Sequence, residues 1–246
     1  MMKVWGMTDV GLVRKENQDA FGIREATATG HTICVVCDGM GGAVGGSLAS
    51  SVAVESFLQE MEAVLRPDMS PEQLREVSSY AVSLANRKLR QIAEEKPEYE
   101  GMGTTLVSAV TYDGGLVVCN VGDSRAYHIT KDGITRVTRD HSWVENMIER
   151  GDLTEEEARH HPNRNLITRA LGPEGEAKGD SYICSIAPGD YFLLCSDGLV
   201  NTVTDQEMLF EVIHGADPDS CLDRLMEIAK NQGAPDNVTA VLMRNL

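Results

Sequence analysis

The sequence predicts an α+β fold in which β-sheets are covered by pairs of helices. Three observations carry this. Short runs rich in β-branched residues recur along the chain. Two long stretches between residues 47 and 93 place apolar residues at helical spacing. A second pair of helix signals follows residue 204, ahead of a closing apolar run. The order is strands, two helices, strands, a polar insertion, strands, two helices and a strand. Such an order suits sheets with helices packed on their outer faces, within one domain spanning 1–246.

Residues 4–24 read as an opening strand pair turning around Gly11, with Arg14 and Asn17-Gln18-Asp19 between apolar positions. Residues 32–37 are an unbroken apolar run, the pattern of a buried strand. Leu48, Val52, Phe57, Met61 and Val64-Leu65 then mark a first helix over 47–65. Ser70-Pro71 opens a second, with serine as cap and proline at the first helical position. Its buried stripe is Leu74, Val77, Ala81, Leu84-Ala85, Leu89 and Ile92, and residues 94–100 form a charged loop. Strands follow at 106–111, 116–121 and 125–130, and Lys131-Asp132-Gly133 is a hairpin turn into 134–139.

Residues 140–172 are polar and charged, and Thr154 with Glu157 forms a capping-box pattern. An insertion of this length in a β-rich region points to function, and it should lie on the surface. Strands at 181–186 and 191–195 precede a helix capped by Thr204 and another begun by Asp217-Pro218. Leu222, Leu225-Met226 and Ile228-Ala229 share one face of the latter, and residues 238–243 close the chain as a strand.

The net charge of −16 argues against nucleic acid or an anionic membrane as partner. No apolar run has the length of a membrane span, and the first residues lack the apolar core of a signal peptide. A cytoplasmic protein is expected. Of the six cysteines, five (Cys34, Cys37, Cys119, Cys184 and Cys195) lie in strand-like apolar runs, where cysteine serves as a small core residue. Cys34 and Cys37 have C-x-x-C spacing, but no second pair or nearby histidine completes a zinc set, and the motif lies within a strand rather than at a helix start.

The chemistry concentrates in aspartates. Asp38 ends the run Val35-Val36-Cys37 and is followed by Gly39-Met40-Gly41-Gly42. Asp123 and Asp197 stand likewise after apolar runs, Asp19 lies among the polar residues that precede residue 20, and Asp236 precedes the closing strand. Strands of a sheet can bring their ends together, so these acids can converge. Two like charges about 4 Å apart repel by roughly 4 kcal/mol at an effective dielectric near 20. Bound cations resolve that conflict. A set of carboxylates and a carbonyl, without histidine or cysteine, suits a hard ion such as Mg²⁺ or Mn²⁺. Paired divalent ions clamp a phosphoryl group, and Arg14, five residues before Asp19, has the fork that matches phosphate. A phosphate-cradling glycine loop at 38–46 is the competing reading. It fails because Val44 replaces the third glycine and no P-loop lysine follows.

In this arrangement the chain resembles the metal-dependent PP2C-type (PPM) serine/threonine phosphatases, in particular their compact bacterial members. The resemblance rests on residues 11–19 (Gly11 to Asp19), Asp38-Gly39-Met40-Gly41-Gly42, Gly103-Thr104-Thr105, Gly122-Asp123-Ser124-Arg125, Asp140-His141-Ser142, Ser196-Asp197-Gly198-Leu199 and Asp236-Asn237-Val238-Thr239. These occur in the family's order over nearly the whole chain. The resemblance implies a four-layer α-β-β-α sandwich with two central antiparallel sheets flanked by helix pairs.

By resemblance, Asp38 bridges two metal ions, with the Gly39 carbonyl on the second. Asp197 and Asp236 hold the first ion and Asp19 the second. Asp123 joins Asp197 at a weaker third ion. Arg14 binds the substrate phosphate, and residues 140–167 are a flap beside the site. The implied reaction is hydrolysis of phosphoserine and phosphothreonine in proteins by a water bridging the metals, with Asp38, Asp197 and Asp236 at its centre. Met40 stands where animal members carry a histidine proposed as general acid, and methionine cannot transfer a proton. His161 in the flap is one candidate donor, against the plainer reading of a surface histidine. The implied partners are phosphoproteins made by a serine/threonine kinase, and a monomer is expected. A non-catalytic phosphoprotein-binding regulator, or a phosphatase dedicated to one partner, would share these motifs. The complete acid set argues against the first.

Overall fold

The apolar runs pair into two antiparallel sheets. In chain order the strands are β1 (Met2–Asp9), β2 (Asp19–Arg24), β3 (Ile33–Met40), β4 (Gly103–Thr104), β5 (Leu106–Tyr112), β6 (Gly115–Val121), β7 (Arg125–Thr130), β8 (Gly133–Arg136), β9 (Asp180–Ser185), β10 (Tyr191–Cys195) and β11 (Val238–Asn245). One sheet has the order β1-β11-β10-β7-β8. The other runs β2-β3-β5-β6-β9, with β4 on the end of β3. The helices are α1 (Gly42–Val64), α2 (Pro71–Glu95), α3 (Trp143–Glu149), α4 (Glu155–Arg159), α5 (Asp197–Val200), α6 (Asp205–His214) and α7 (Cys221–Asn231). The computed structural model describes residues 2–25, 28–173, 175–215 and 217–246, with only the backbone of residues 43 and 44.

Side-chain alternation along the strands builds three apolar layers. Val35 and Cys37 face outward to Phe57 and Met61 of α1 and Leu74 and Leu89 of α2. Cys34 and Val36 face inward, toward Phe192, Leu194 and Val241 of the other sheet. Beyond that sheet, Leu193 and Leu242 pack on Met208 of α6 and Leu225 of α7. The result is helix pair, sheet, sheet, helix pair. Each fully buried leucine or phenylalanine contributes about 1.5–3 kcal/mol from burial alone. Cys34 and Cys37 therefore lie on opposite faces of β3, and burial raises both thiols. Among the described residues no helix is long and apolar enough to cross a membrane.

The predicted caps form. Ser70 Oγ accepts from the Gln73 amide while Gln73 Oε1 accepts from the Ser70 amide, and Thr154 with Glu157 and Thr204 with Glu207 repeat the pattern. Three expectations change. The strands on either side of Gly11 do not pair with each other. β1 pairs with β11 from Met2↔Asn245 to Asp9↔Val238, and β2 pairs with β3 in the other sheet. Residues 10–18 therefore cross from one sheet to the other, and Asn237 holds the crossing. Its side chain donates to the carbonyls of Val10 and Glu16 and accepts from the Gln18 amide. Asp217-Pro218 starts a 3-10 turn rather than the last helix, which begins at Cys221. Finally, the base of the insertion is not on the surface: Asp140, His141 and Ser142 are all buried.

Candidate metal centre

Strand pairing brings the first two acids together. Asp19 opens β2 directly opposite Asp38 near the end of β3. Asp38 belongs by alternation to the inward face of its sheet, so its carboxyl points toward the other sheet. That sheet supplies Asp197, which follows β10 and opens α5, and Asp236, which precedes β11. Asp123 follows β6 in the glycine-containing turn to β7. Asp19 is buried and the other four are half-buried, so they sit together at one end of the sandwich, partly open to solvent.

Hydroxyl and amide groups hold these acids in place. Thr105 Oγ1 accepts from the Asp38 amide at 2.9 Å and pairs with Ser124 Oγ at 2.7 Å, tying Asp38 to the residue after Asp123. The Asp38 carbonyl accepts from the Thr104 hydroxyl and the Thr105 amide, both at 2.8 Å. Ser196 Oγ donates to Asp19 Oδ2 at 2.8 Å and accepts from the Thr239 amide, linking the two sheets beside Asp197. Glycine is required at two points. A Cβ on Gly39 would lie 2.1 Å from the Gly46 carbonyl oxygen, where the start of α1 meets β3. Gly122 has φ +106°, and its Cβ would strike the Thr105 side chain.

The cluster is short of positive charge. Burial, then the charges of Asp19, Asp197, Asp123 and Asp236, hold the Asp38 carboxyl well above the usual range. Burial, followed by Asp197 and Asp140, pushes Asp123 up to about 8. Burial raises Asp19 to about 6 despite hydrogen bonds from Thr239 and Ser196 that oppose the shift. Burial, then Asp236, raises Asp197. Arg14 forms an ion pair with Asp236 at 2.8 Å, with Asp38 and Asp197 also in electrostatic reach.

This electrostatic pattern fits divalent cations. Asp197 Oδ1 is buried with no hydrogen-bond donor. The same residue faces the Asp38 carboxyl, a contact that is a hydrogen bond only while one of the two keeps its proton. Carboxylate oxygens with unfilled acceptor capacity, plus a backbone carbonyl at Gly39, form the donor set of a hard ion. Among the described residues, no three Asp, Glu, His or Cys side chains are already gathered in ligand geometry around one point. Asp236 is instead drawn to Arg14, Asp19 to Ser196, and Asp38 to Asp197.

The remaining candidate, His161, lies in the insertion after α4. Its ring packs on Trp143 at 4.8 Å between centroids, and its Nδ1 accepts from the Asn163 amide. No described hydrogen bond links it to the acids. Sequence reasoning assigned no role to the supporting groups Thr105, Ser124, Ser196, Asn237, Thr239 and His141. Their signal was present, as short polar residues beside each acid at a strand end, but their partners are distant in sequence.

Aspartates clustered between two helix-covered sheets, with an arginine on one of them, suit the class of metal-dependent phosphoryl-transfer enzymes. The comparisons agree. The protein phosphatase 2C family profile matches residues 13–243. The serine/threonine phosphatase Stp of Listeria innocua is 34% identical over 240 residues, covering 97% of this chain and 94% of that one. The protein phosphatase PhpP of Streptococcus pneumoniae is 33% identical, covering 98% and 97%. Serine/threonine phosphatase Stp1 from Staphylococcus aureus superposes with a TM-score of 0.94 at 35% identity, covering 100% and 96%. The catalytic domain of PstP in complex with two manganese ions gives 0.85 at 30% identity, covering 99% and 97%. The chain belongs to the protein phosphatase 2C family and is a protein serine/threonine phosphatase. The four-layer sandwich implied by the resemblance is the fold observed.

Proposed function

We propose that this chain hydrolyses phosphoserine and phosphothreonine in proteins using divalent ions, Mg²⁺ or Mn²⁺, held by its aspartates. The observation that carries this is the convergence of Asp19, Asp38, Asp123 and Asp197, each with raised proton affinity, beside an Asp236 paired to Arg14. Asp38 would serve both core ions, with Asp197 and Asp236 on the first and Asp19 and the Gly39 carbonyl on the second. Asp123 and Asp197 would hold a weaker third. When bound, such ions neutralise the cluster, draw in an anionic phosphate and acidify water toward neutrality.

The chain's own groups bind and orient. Arg14, 55% exposed at its side chain, exchanges Asp236 for the phosphate, which its fork can hold with two parallel hydrogen bonds. The insertion at 140–167 presents Arg159, His161 and Arg164, which would grip the polypeptide around its phosphorylated residue or, for His161, supply a proton. The substrates would be products of a serine/threonine kinase, met by a monomeric, single-domain enzyme in the cytoplasm. The test is hydrolysis of a phosphothreonine peptide after chelation, with and without Mn²⁺. Turnover should vanish on chelation and return with the ion. Full activity in excess chelator would overturn the reading.

A further inference from the structure

The Asp140-His141-Ser142 segment is absorbed by neither the acids nor the substrate grip, yet it is buried behind them. The His141 backbone amide donates to the Gly122 carbonyl at 2.9 Å. In return the Gly122 amide donates to His141 Nδ1 at 3.1 Å, so residue 141 clasps both backbone groups of the residue before Asp123. The acceptor role of Nδ1 defines the neutral tautomer with its hydrogen on Nε2. That nitrogen lies 3.3 Å from Asp180 Oδ2, so its hydrogen faces the Asp180 carboxylate. Arg169 Nη1 lies 3.2 Å from the same nitrogen, a contact that is no hydrogen bond in this tautomer, and it donates to Asp180 Oδ1 at 3.1 Å. Burial, with the nearby Arg169 charge, lowers the proton affinity of the ring, in keeping with a neutral imidazole.

His141 also ties down the base of the insertion. Its carbonyl accepts from the Thr168 amide at 2.7 Å, and Ser142 bridges Ile167. The turn carrying Asp123 and both ends of the insertion therefore meet on one residue. Gly122 itself cannot be replaced to stiffen the turn, since its φ is +106° and it has no room for a Cβ.

We propose that His141 is a positioning residue for Asp123: Asp180 and Arg169 orient its ring so that Nδ1 accepts the Gly122 amide and fixes the turn that aims Asp123 at the other acids. The proposal rests on the metal-centre reading for its consequence, though its hydrogen bond stands apart from it. His141 touches no reacting group. It acts as an outer-shell partner, whose loss typically weakens metal affinity by roughly 10–100-fold.

The experiment reads two things. In the metal-free protein, a long-range ¹H–¹⁵N spectrum should show His141 protonated at Nε2, and the Gly122 amide should exchange slowly. His141→Leu should speed that exchange and weaken the lowest-affinity Mn²⁺ site in calorimetry by roughly tenfold or more, leaving the two tighter sites intact. His141→Asn places an amide oxygen near the Nδ1 position and should restore Gly122 protection, which a merely structural role for the ring would not require. Protonation at Nδ1 in the wild type would overturn the proposal. So would unchanged Gly122 exchange and unchanged weak-site affinity in His141→Leu. A wild-type protein that takes up no Mn²⁺ would refute the metal-centre reading, while the tautomer and the exchange rate would still decide the hydrogen bond.

Discussion

Two acid sites lie close together at one end of this sandwich, and they are solved in opposite ways. Asp140 is buried and fully paired. Arg125 contacts it through Nε and Nη2 at 3.0 and 2.7 Å, and Arg136 stands 3.8 Å away. Arg125 also donates to the Tyr127 hydroxyl. Among the described residues, Asp38 and its four neighbours have one direct arginine partner, Arg14 on Asp236, while Arg125, bonded to Asp140, reaches Asp123 and Asp197 only through its field. A fully paired buried acid supports the fold. Converging acids without counter-charge oppose it, and a chain keeps them only where something else supplies the charge. The contrast separates a structural ion pair from the proposed metal centre beside it.

Mutations should divide along the same line. The largest effect falls on turnover: Asp38→Ala should remove several orders of magnitude in phosphopeptide hydrolysis while the protein stays folded. Near-normal turnover would dissolve the distinction between the two sites. Next comes stability. Asp140→Ala leaves Arg125 with no full partner and should cost about 3–5 kcal/mol, lowering the melting temperature by roughly 10 °C for a chain of this size. By contrast, Asp38→Asn should raise the melting temperature of the chelated protein, since it removes a charge that its neighbours oppose. Equal destabilisation by both variants would mean the two sites are alike. Arg14→Ala should act mainly on KM, by roughly tenfold or more, the order expected from losing charge-assisted hydrogen bonds to the phosphate; an unchanged KM would take Arg14 out of the site. The smallest effect is that of His161→Ala, which should slow phosphopeptide hydrolysis more than hydrolysis of a small aryl phosphate. Equal effects on both substrates would favour proton donation over grip.

Much of this was legible in the sequence because it is local. An acid ending an apolar run, a serine just before proline, and an apolar stripe at helical spacing all report structure within a few residues. The layers followed from the order of those elements. What stayed hidden was non-local. β1 and β2 looked like neighbours, yet each is better satisfied by a strand in a different sheet, and Asn237, over 200 residues on, holds the crossing between them. The short helix α5 begins on Asp197 itself and left no period long enough to read. The 140–172 segment looked uniformly polar, but the partners that bury Asp140 and His141 are Arg125, Gly122 and Asp180, drawn from three other elements of the chain. Polar composition reports exposure only where no such partners wait.

The central claim is that Asp19, Asp38, Asp123 and Asp197 lack full counter-charge until divalent ions bind, and the pH dependence of stability tests it most directly. Asp19, Asp38, Asp123 and Asp197 all have folded-state affinities raised above the usual carboxylate value of 3.8. Such groups favour the folded state below that value, and the benefit is lost as pH rises through the folded values, about 6 for Asp19 and about 8 for Asp123. His141, with its lowered affinity, works in the opposite direction near neutrality, one group against four. The measurement is the melting temperature of the chelated protein from pH 5 to 8, repeated with excess Mn²⁺. The melting temperature should fall with rising pH in chelator, and Mn²⁺ should raise it most at pH 8. A flat profile that Mn²⁺ leaves unmoved would contradict the account.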